Sequence, residues 1–557
     1  MTRYHGFLCR GIDSIATRLT ARMCGLQIIS SCKRKMLLVG IVLCATFFFS
    51  CLILRTVLAR KPRLKSPPSP LALPIIGHLY ILGPKIHKTF HELAVRYGPL
   101  IQLRLGSVPC VVVSTAELAK EFLKINELTF SARKNSNAIK ILTYNSSSFA
   151  FSPYGPYWKF IKKLCIYELL GARNLNHFRP VRTTEISSFV QLLMNKAKSS
   201  SGSKPINITE ELLSLTSNVI SQMMLSIRCS ENEGDAATAR TVIREVTQIF
   251  GEFDASDMIW LCKNFDFQGI KKRSEDIQRR YDALLEKIIA DRERVRRQNR
   301  EVRTADSGAP AAKEAMDFLD ILLDVMESGN AEVKFTRDHL KALILDFFTA
   351  GTDTTAIAIE WALAELINHP SVLKKAQEEI EEVVGSHRLV QESDASNLPY
   401  IQAIIKETFR LHPPIPMLAR KSTTDCEIKG YTIPAGTLLF VNIWSIGRNR
   451  KYWDNPLEFR PERFLEPSKD SNEDTIDVKG QHFELLPFGT GRRGCPGMLL
   501  ALQEVHTVLA AMVQCFDWKL PPSDGDHLGG VDMSERPGLT APRAHDLVCL
   551  LVPRVKL

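Results

Sequence analysis

Pro487-Phe488-Gly489-Thr490-Gly491-Arg492-Arg493-Gly494-Cys495-Pro496-Gly497 decides how this chain is read. One cysteine stands in a glycine-rich loop behind two arginines, just ahead of an apolar run at helical spacing from Met498 to Phe516. Glycine has no Cβ, so positions 489, 491, 494 and 497 let the backbone turn tightly and approach a flat ligand closely. Arg493 can pair with an anionic group beside the sulfur, and its charge is expected to favour the ionised thiolate. No second cysteine follows at C-x-x-C spacing, which fits zinc and iron–sulfur ligation poorly. A single axial thiolate on a haem iron fits the arrangement.

Two other readings stay open on these residues alone. Gly489-Thr490-Gly491-Arg492-Arg493-Gly494 also spells the dinucleotide fingerprint G-x-G-x-x-G, with Asp517 about where a ribose-binding acid belongs. A cysteine in an apolar setting is also commonly a buried structural thiol. The rest of the chain has to decide.

The 557 residues can bury a large core, and the formal charge of +11 sits at one end. Residues 1–65 carry twelve Lys/Arg and one acid, Asp13, while the remaining 60 basic and 60 acidic residues cancel. A neutral body argues against a nucleic-acid surface, and a basic N-terminus beside an apolar run argues for a membrane. Thirteen scattered cysteines lack framework spacing, which suggests reduced thiols facing the cytosol.

Met36 to Leu54 is nineteen residues without a charge, close to the roughly 20 needed to cross a bilayer as a helix. The run exceeds the usual core of a cleaved signal peptide, and no Ala-x-Ala site follows it. Arg55, Arg60, Lys61, Arg63 and Lys65 follow with no acid, so the bulk of the chain is expected in the cytosol. Lys33-Arg34-Lys35 charges the other flank as well, and the bias is cleaner if the natural start is Met36. The expected organisation is a basic extension (1–35), a membrane anchor (36–54), a basic and proline-rich linker (55–74) and one large domain (75–557).

Alternation in Ile101–Val113 predicts a hairpin, and β structure is expected only there and at about 425–442. Helical spacing dominates elsewhere, as in the apolar face Ile277, Tyr281, Leu284 and Ile288. Lys196–Pro205 and Gln298–Ala312 are polar and Ser/Gly/Ala-rich, and read as loops. Asn145-Ser-Ser and Asn207-Ile-Thr match glycan acceptors that a cytosolic domain would never use.

Three further constellations accompany the cysteine. In Leu343–Leu366 an apolar helix is interrupted by Ala350-Gly351-Thr352-Asp353-Thr354-Thr355. Burying a carboxylate and hydroxyls there is costly without partners, and the Gly with back-bonding hydroxyls is expected to loosen the helix beside a ligand. Lys406-Glu407-Thr408-Phe409-Arg410 sets Glu and Arg at i, i+3, and Phe459-Arg460-Pro461-Glu462-Arg463-Phe464 supplies another arginine. Trp158-Lys159-Phe160-Ile161-Lys162 places an indole and an ammonium four apart.

With Phe488, Gly491, Arg493, Cys495 and Gly497 at the spacing Phe-x-x-Gly-x-Arg-x-Cys-x-Gly, the chain resembles the cytochrome P-450 superfamily from about Pro67 to its C-terminus. The resemblance implies a mainly α fold with small β elements, carrying one haem b on Cys495. It gives Asp353 and Thr354 the delivery of protons, and Glu407, Arg410 and Arg463 a scaffolding network. Trp158, Lys162 and Arg420 become partners of the haem propionates, alongside Phe488 and Arg493 of the loop. It also implies dioxygen chemistry, with electrons from a separate NADPH-cytochrome P-450 reductase on the endoplasmic reticulum membrane.

The runs HLKALILDFF, HPPIPMLARKST and LLFVNIWSIGRN are similar to those of plant flavonoid-oxidising members, above all flavone synthase II and flavanone 2-hydroxylase. That likeness implies a flavanone substrate oxidised at C2/C3. Four segments are expected at the pocket: Asn137–Phe151, Phe348–Thr354, Pro414–Ala419 and Gly538–Ala541. Ala419 stands where related isoflavone synthases typically have Lys, which argues against aryl migration. Hydroxylation of another plant phenolic, such as an isoflavonoid, and a haem-thiolate isomerase that uses no oxygen are the alternatives.

Overall fold

The computed structural model describes residues 38–43, 46, 47, 50, 65–199, 204–229, 235–305, 317–328, 333–465, 476–522 and 530–555. It divides into two compact units, residues 1–64 and 65–557. In the first, the described positions between 38 and 50 are helical, with Leu38, Val39, Ile41, Val42, Leu43 and Phe47 exposed. The other anchor positions, the extension 1–35 and the basic stretch 55–64 lie outside the described residues. The proline-rich stretch belongs to the second unit. Its Pro68 carbonyl accepts the Gln102 N–H at 2.9 Å, and Lys65 accepts that of Thr432 at 2.8 Å.

The second unit is mainly helical. Its principal helices are α1 (Ile86–Tyr97), α2 (Asn137–Leu142), α3 (Pro156–Lys163), α4 (Ile208–Leu225), α5 (Asp235–Gly251), α6 (Ile270–Ala305), α7 (Arg337–Asn368), α8 (Pro399–Leu411) and α9 (Met498–Cys515). Helix α7 is the axis of the core. From Ala356 to Leu366 every residue is buried, Glu360 and Glu365 included, so this half is enclosed on all sides. It starts at Thr336, whose hydroxyl accepts the His339 N–H while the His339 ring accepts that of Thr336. It packs against α4, α8 and α9.

The expected hairpin is β1 (Leu100–Leu105) and β2 (Val108–Val113), antiparallel from Leu100↔Val113 to Leu105↔Val108 and turned at Gly106 (φ +63). Further strands are β3 (Ile206–Asn207), β4 (Met417–Lys421), β5 (Cys426–Ile428), β6 (Tyr431–Ile433), β7 (Leu438–Asn442), β8 (Phe516–Lys519) and β9 (Val548–Pro553). The sheets run β1-β2-β7-β4, β3-β9-β8 and β5-β6. Strands β3, β4, β8 and β9 correct the expectation that β structure is confined to 101–113 and 425–442. Strands β3, β4 and β8 are too short to show a period of two, and β9, VCLLVP, is apolar without alternation. The loop expected at Gln298–Ala312 is helical through Ala305, and a helix also runs through Lys196 to Ser199. Polar composition marked a solvated helix end there, not a break.

Candidate active site

The cysteine loop is built by two residues that only glycine suits. Gly489 and Gly491 adopt φ of +67 and +69, and a Cβ on Gly491 would collide with the Glu127 carboxylate. Glu127 receives both the backbone N–H and the guanidinium of Arg492. The Cys495 N–H closes the turn on the Phe488 carbonyl at 2.9 Å, and the Phe488 ring packs edge-on against Phe409 of α8 at 5.3 Å. From below, Lys162 donates to the Arg492 carbonyl at 2.5 Å.

Cys495 is exposed at its own surface, yet enough protein surrounds it that burial pushes its thiol up to about 11, against the opposing Gly497 N–H. Arg493 does not lower it. That guanidinium turns away, over the Trp158 ring at 4.5 Å, and donates to the carbonyls of Ser131, Phe149 and Ser152. The expectation that Arg493 favours the thiolate is therefore corrected. A bound metal cation can take the proton's place on such a sulfur, because a coordinating thiol is deprotonated outright.

Beside the loop, three arginines converge. Arg420 is fully buried and donates to the carbonyls of Arg493 (3.1 Å) and Ala419 (2.9 Å). Arg133 donates to the same Ala419 carbonyl at 2.7 Å, and its Nε is buried without a partner. Burial lowers all three guanidinium pKa values, Arg133 to about 10 and Arg493 to about 9, with Arg133 and Arg493 adding to the depression at Arg420. Among the described residues none of the three forms an ion pair with a carboxylate. Buried cations left in that state call for an anion from outside the chain.

The sequence reading missed Arg133, which lies in a loop with no periodicity to flag it. It also missed Glu127, whose link to Arg492 spans far-apart segments. Trp158, expected at the propionates, donates its Nε1–H to the Phe149 carbonyl at 3.2 Å and lies under both Arg493 and Lys162.

On α7 the Thr354 hydroxyl bonds back to the Ala350 carbonyl at 2.7 Å, but the helix runs unbroken past it. The expected loosening is absent. Gly351 serves packing instead, since a Cβ there would strike the Ile220 side chain of α4 at 2.6 Å. Asp353 meets Arg244 and Thr247 of α5. Its carboxyl is raised by burial, which outweighs both partners.

Glu407, Arg410 and Arg463 come together as expected. Arg410 grips Glu407 at 2.6 and 2.7 Å, and Arg463 reaches it at 3.0 Å. Arg410 also satisfies the carbonyls of Gly447, Pro456 and Glu458, at 2.5, 2.7 and 3.0 Å. Of the four expected pocket segments, two are in direct contact, and the first meets neighbouring residues of α7 and α5. Ala541 donates to the Pro414 carbonyl at 2.8 Å, the Ala150 N–H reaches Asp346 of α7 at 3.3 Å, and Phe151 packs on Phe250 of α5 at 5.2 Å. Asp517, the acid of the dinucleotide reading, sits on β8 and pairs with Arg554 at 3.0 Å. Among the described residues no strand leads into the glycine loop, so the strand–turn–helix that fingerprint needs is not formed there.

Residues 67–539 match the family described as Cytochrome P450. The chain belongs to the cytochrome P450 family. This P450 is 59% identical over 511 residues to "Cytochrome P450 93B2" of Gerbera hybrida, covering 91% of this chain and 96% of that one. It is 48% identical over 502 residues to "2-hydroxyisoflavanone synthase" of Glycine max, covering 88% and 92%. Among solved structures a zebra fish cytochrome P450 with progesterone superposes at a TM-score of 0.68 and 25% identity, over 85% of this chain and all of that one. The P450 is a monooxygenase of the oxidoreductase class, and its cofactor is haem, iron protoporphyrin IX. The residues fit that group: a lone thiol in a tight loop for the iron, and an unbalanced guanidinium cluster for two propionates.

Proposed function

We propose that this P450 oxidises flavanones at C2/C3, as a flavone synthase II does. P450 monooxygenases act on small molecules with electrons from a reductase. The observation that carries the reading is the likeness to a plant 2-hydroxyisoflavanone synthase along nearly the whole chain, with Ala419 on β4 where the aryl-migrating enzymes typically have Lys. A small residue there removes the ammonium that would steer the substrate toward migration.

In this reading Cys495 holds the iron, and Arg133, Arg420 and Arg493, with Trp158 and Lys162, hold the propionate edge. When bound, haem with a thiolate ligand supplies dioxygen activation and the abstraction of hydrogen from a C–H bond. Thr354 orients a proton donor, because its hydroxyl is fixed on Ala350. Asp353, raised by burial and tied to α5, supplies protons at its carboxylate from the α5 side. Phe151, Phe250 and the Pro414–Ala419 segment give a flat aromatic substrate apolar walls.

The Met36–Leu54 run anchors the chain, with 1–35 as a basic extension, 55–74 as a linker and 75–557 as the haem domain. Exposed Leu38, Ile41, Leu43 and Phe47 support an apolar surface for lipid. The haem domain then faces the cytosol at the endoplasmic reticulum, beside an NADPH-cytochrome P-450 reductase.

Microsomes containing this P450, the reductase and NADPH, given a flavanone panel, should convert naringenin and eriodictyol to flavones. Accumulation of 2-hydroxyflavanones assigns the sister activity. Untouched flavanones beside consumption of a terpenoid or fatty acid would overturn the substrate class. Product formed without oxygen and NADPH would instead identify an isomerase.

A further inference from the structure

Helix α7 carries an acid that the chemistry above leaves idle. Asp346 lies seven residues ahead of Asp353 and keeps some exposed surface, yet protein surrounds it deeply enough that burial pushes its carboxyl up to about 7. Opposing that shift are the Ala150 N–H, which donates to it at 3.3 Å, the Ser148 hydroxyl and Phe149 N–H that face it, and the charge of Arg133. Donors from three successive residues thus meet on one carboxylate, much as successive backbone N–H groups gather around an anion in a nest. A helix tolerates an acid in its core when donors replace the lost water.

The turn held in this way has a second side. The Phe149 carbonyl accepts both Trp158 Nε1–H (3.2 Å) and Arg493 Nη1–H (3.3 Å), and Arg493 lies two residues from Cys495. The Phe149 ring stacks on Trp158 at 5.7 Å, and Ser152 accepts Arg493 Nη2–H at 2.6 Å. Two short steps therefore join α7 to the cysteine loop, from Asp346 to the turn and from the turn to Arg493. Arg133 feels the same acid, which raises its pKa against burial.

We propose that Asp346 is a positioning residue: by gathering Ser148, Phe149 and Ala150 onto one carboxylate, it fixes the carbonyl that Trp158 and Arg493 share and so sets the arginine cluster that grips haem. The role concerns the cofactor and does not depend on which substrate the P450 oxidises. Without Asp346 the turn loses its common acceptor, the Phe149 carbonyl moves, and Arg493 loses a fixed partner.

Haem transfer from the purified holoprotein to excess apomyoglobin, well below the unfolding temperature and without any flavonoid, tests this. Asp346→Ala should release haem about tenfold faster than the parent, and Asp346→Asn, which keeps one acceptor oxygen, by a smaller factor. Ser148→Ala should speed release alone but add almost nothing on top of Asp346→Ala, because both remove one network. Glu360→Gln is the control. It neutralises another buried acid of α7, bonded to Thr209 and Arg543, and should leave release unchanged. The proposal fails if Asp346→Ala releases haem at the parent's rate or no faster than Glu360→Gln, or if its effect multiplies with that of Ser148→Ala. Should Asp346→Ala not fold, the Asp346→Asn and Ser148→Ala pair closes the same cycle with the same criteria.

Discussion

Two clusters of buried arginine in this P450 are built on opposite plans. Around Glu407, each guanidinium is closed by the chain itself, with a carboxylate at 2.6–3.0 Å and backbone carbonyls for the remaining N–H groups of Arg410. Around Arg420, three guanidiniums donate to carbonyls only, Arg133 and Arg493 depress the pKa of Arg420, and the Arg133 Nε is left unmatched. A closed cluster serves the fold, whereas an open one is finished by a ligand. On the proposed reading the difference separates scaffold arginines from site arginines, although both kinds are buried.

Cys495, next to the open cluster, gives the largest expected effect. Cys495→Ser should abolish the red-shifted Soret band of the reduced carbon monoxide complex together with monooxygenase turnover. A variant that kept both would remove the iron from this sulfur. Second comes the closed cluster. Arg410→Ala leaves Glu407 buried and half-paired, which is expected to cost about 3–5 kcal/mol. Denaturation of the purified domain should show that loss even before haem is added, and an unchanged midpoint would mean that the cluster is not structural.

Much of this contrast is legible in the sequence, but unevenly. The cysteine loop is read directly because its chemistry is local: four glycines, one thiol and a following helix lie within a few residues. Glu407 and Arg410 show their partnership through helical spacing, and Arg463 joins them only in space. Arg133 and Asp346 gave no signal. Their meaning depends on contacts with Ala419 and with the 148–150 turn, and no local period records such long-range pairs. The small strands β8 and β9 escaped for the same reason, since they form by pairing with each other and, for β9, with the distant β3. Gly351 was read as a hinge because a glycine inside a helix weakens it, and the structure shows the competing cause, close approach of Ile220.

A third cluster tests the closed plan by titration. Glu535 is bonded by His87 (2.9 Å), Lys88 (3.0 Å) and the Trp444 indole (2.9 Å). Burial would raise its carboxyl, but those partners outweigh it and hold the pKa at about 2. A carboxyl depressed below its ordinary value of 4.5 contributes stability that is present above that value and lost as pH falls toward 2. The contribution is about 3 kcal/mol in full. Glu535→Gln should therefore be less stable than the parent at neutral pH and converge with it in thermal melts between about pH 4.5 and 2. Parallel curves over that range would show that the pairing carries no such linkage.

Activity separates the α7 pair from both clusters. Asp353→Asn and Thr354→Ala should keep the haem spectrum, since neither touches the arginines, while product formed per NADPH falls by about 10²-fold, the scale of a lost proton-transfer group. Equal losses in haem content and turnover would instead make these residues structural.

The smallest effect is the one most specific to an open cluster, because its sign reverses between two states of the protein. Arg420→Ala removes a cation that Arg133 and Arg493 repel more strongly than the Glu127 carboxylate attracts it. Without haem, the variant should be at least as stable as the parent, the opposite of Arg410→Ala. With haem, on the proposed reading, it lacks one partner of a propionate and should release the cofactor about tenfold faster, equivalent to about 1.4 kcal/mol. Melting both forms of both variants gives the comparison directly. If Arg420→Ala destabilised the haem-free protein as much as Arg410→Ala does, the unbalanced charge would have a partner within the chain, and an open cluster would no longer identify the ligand's place.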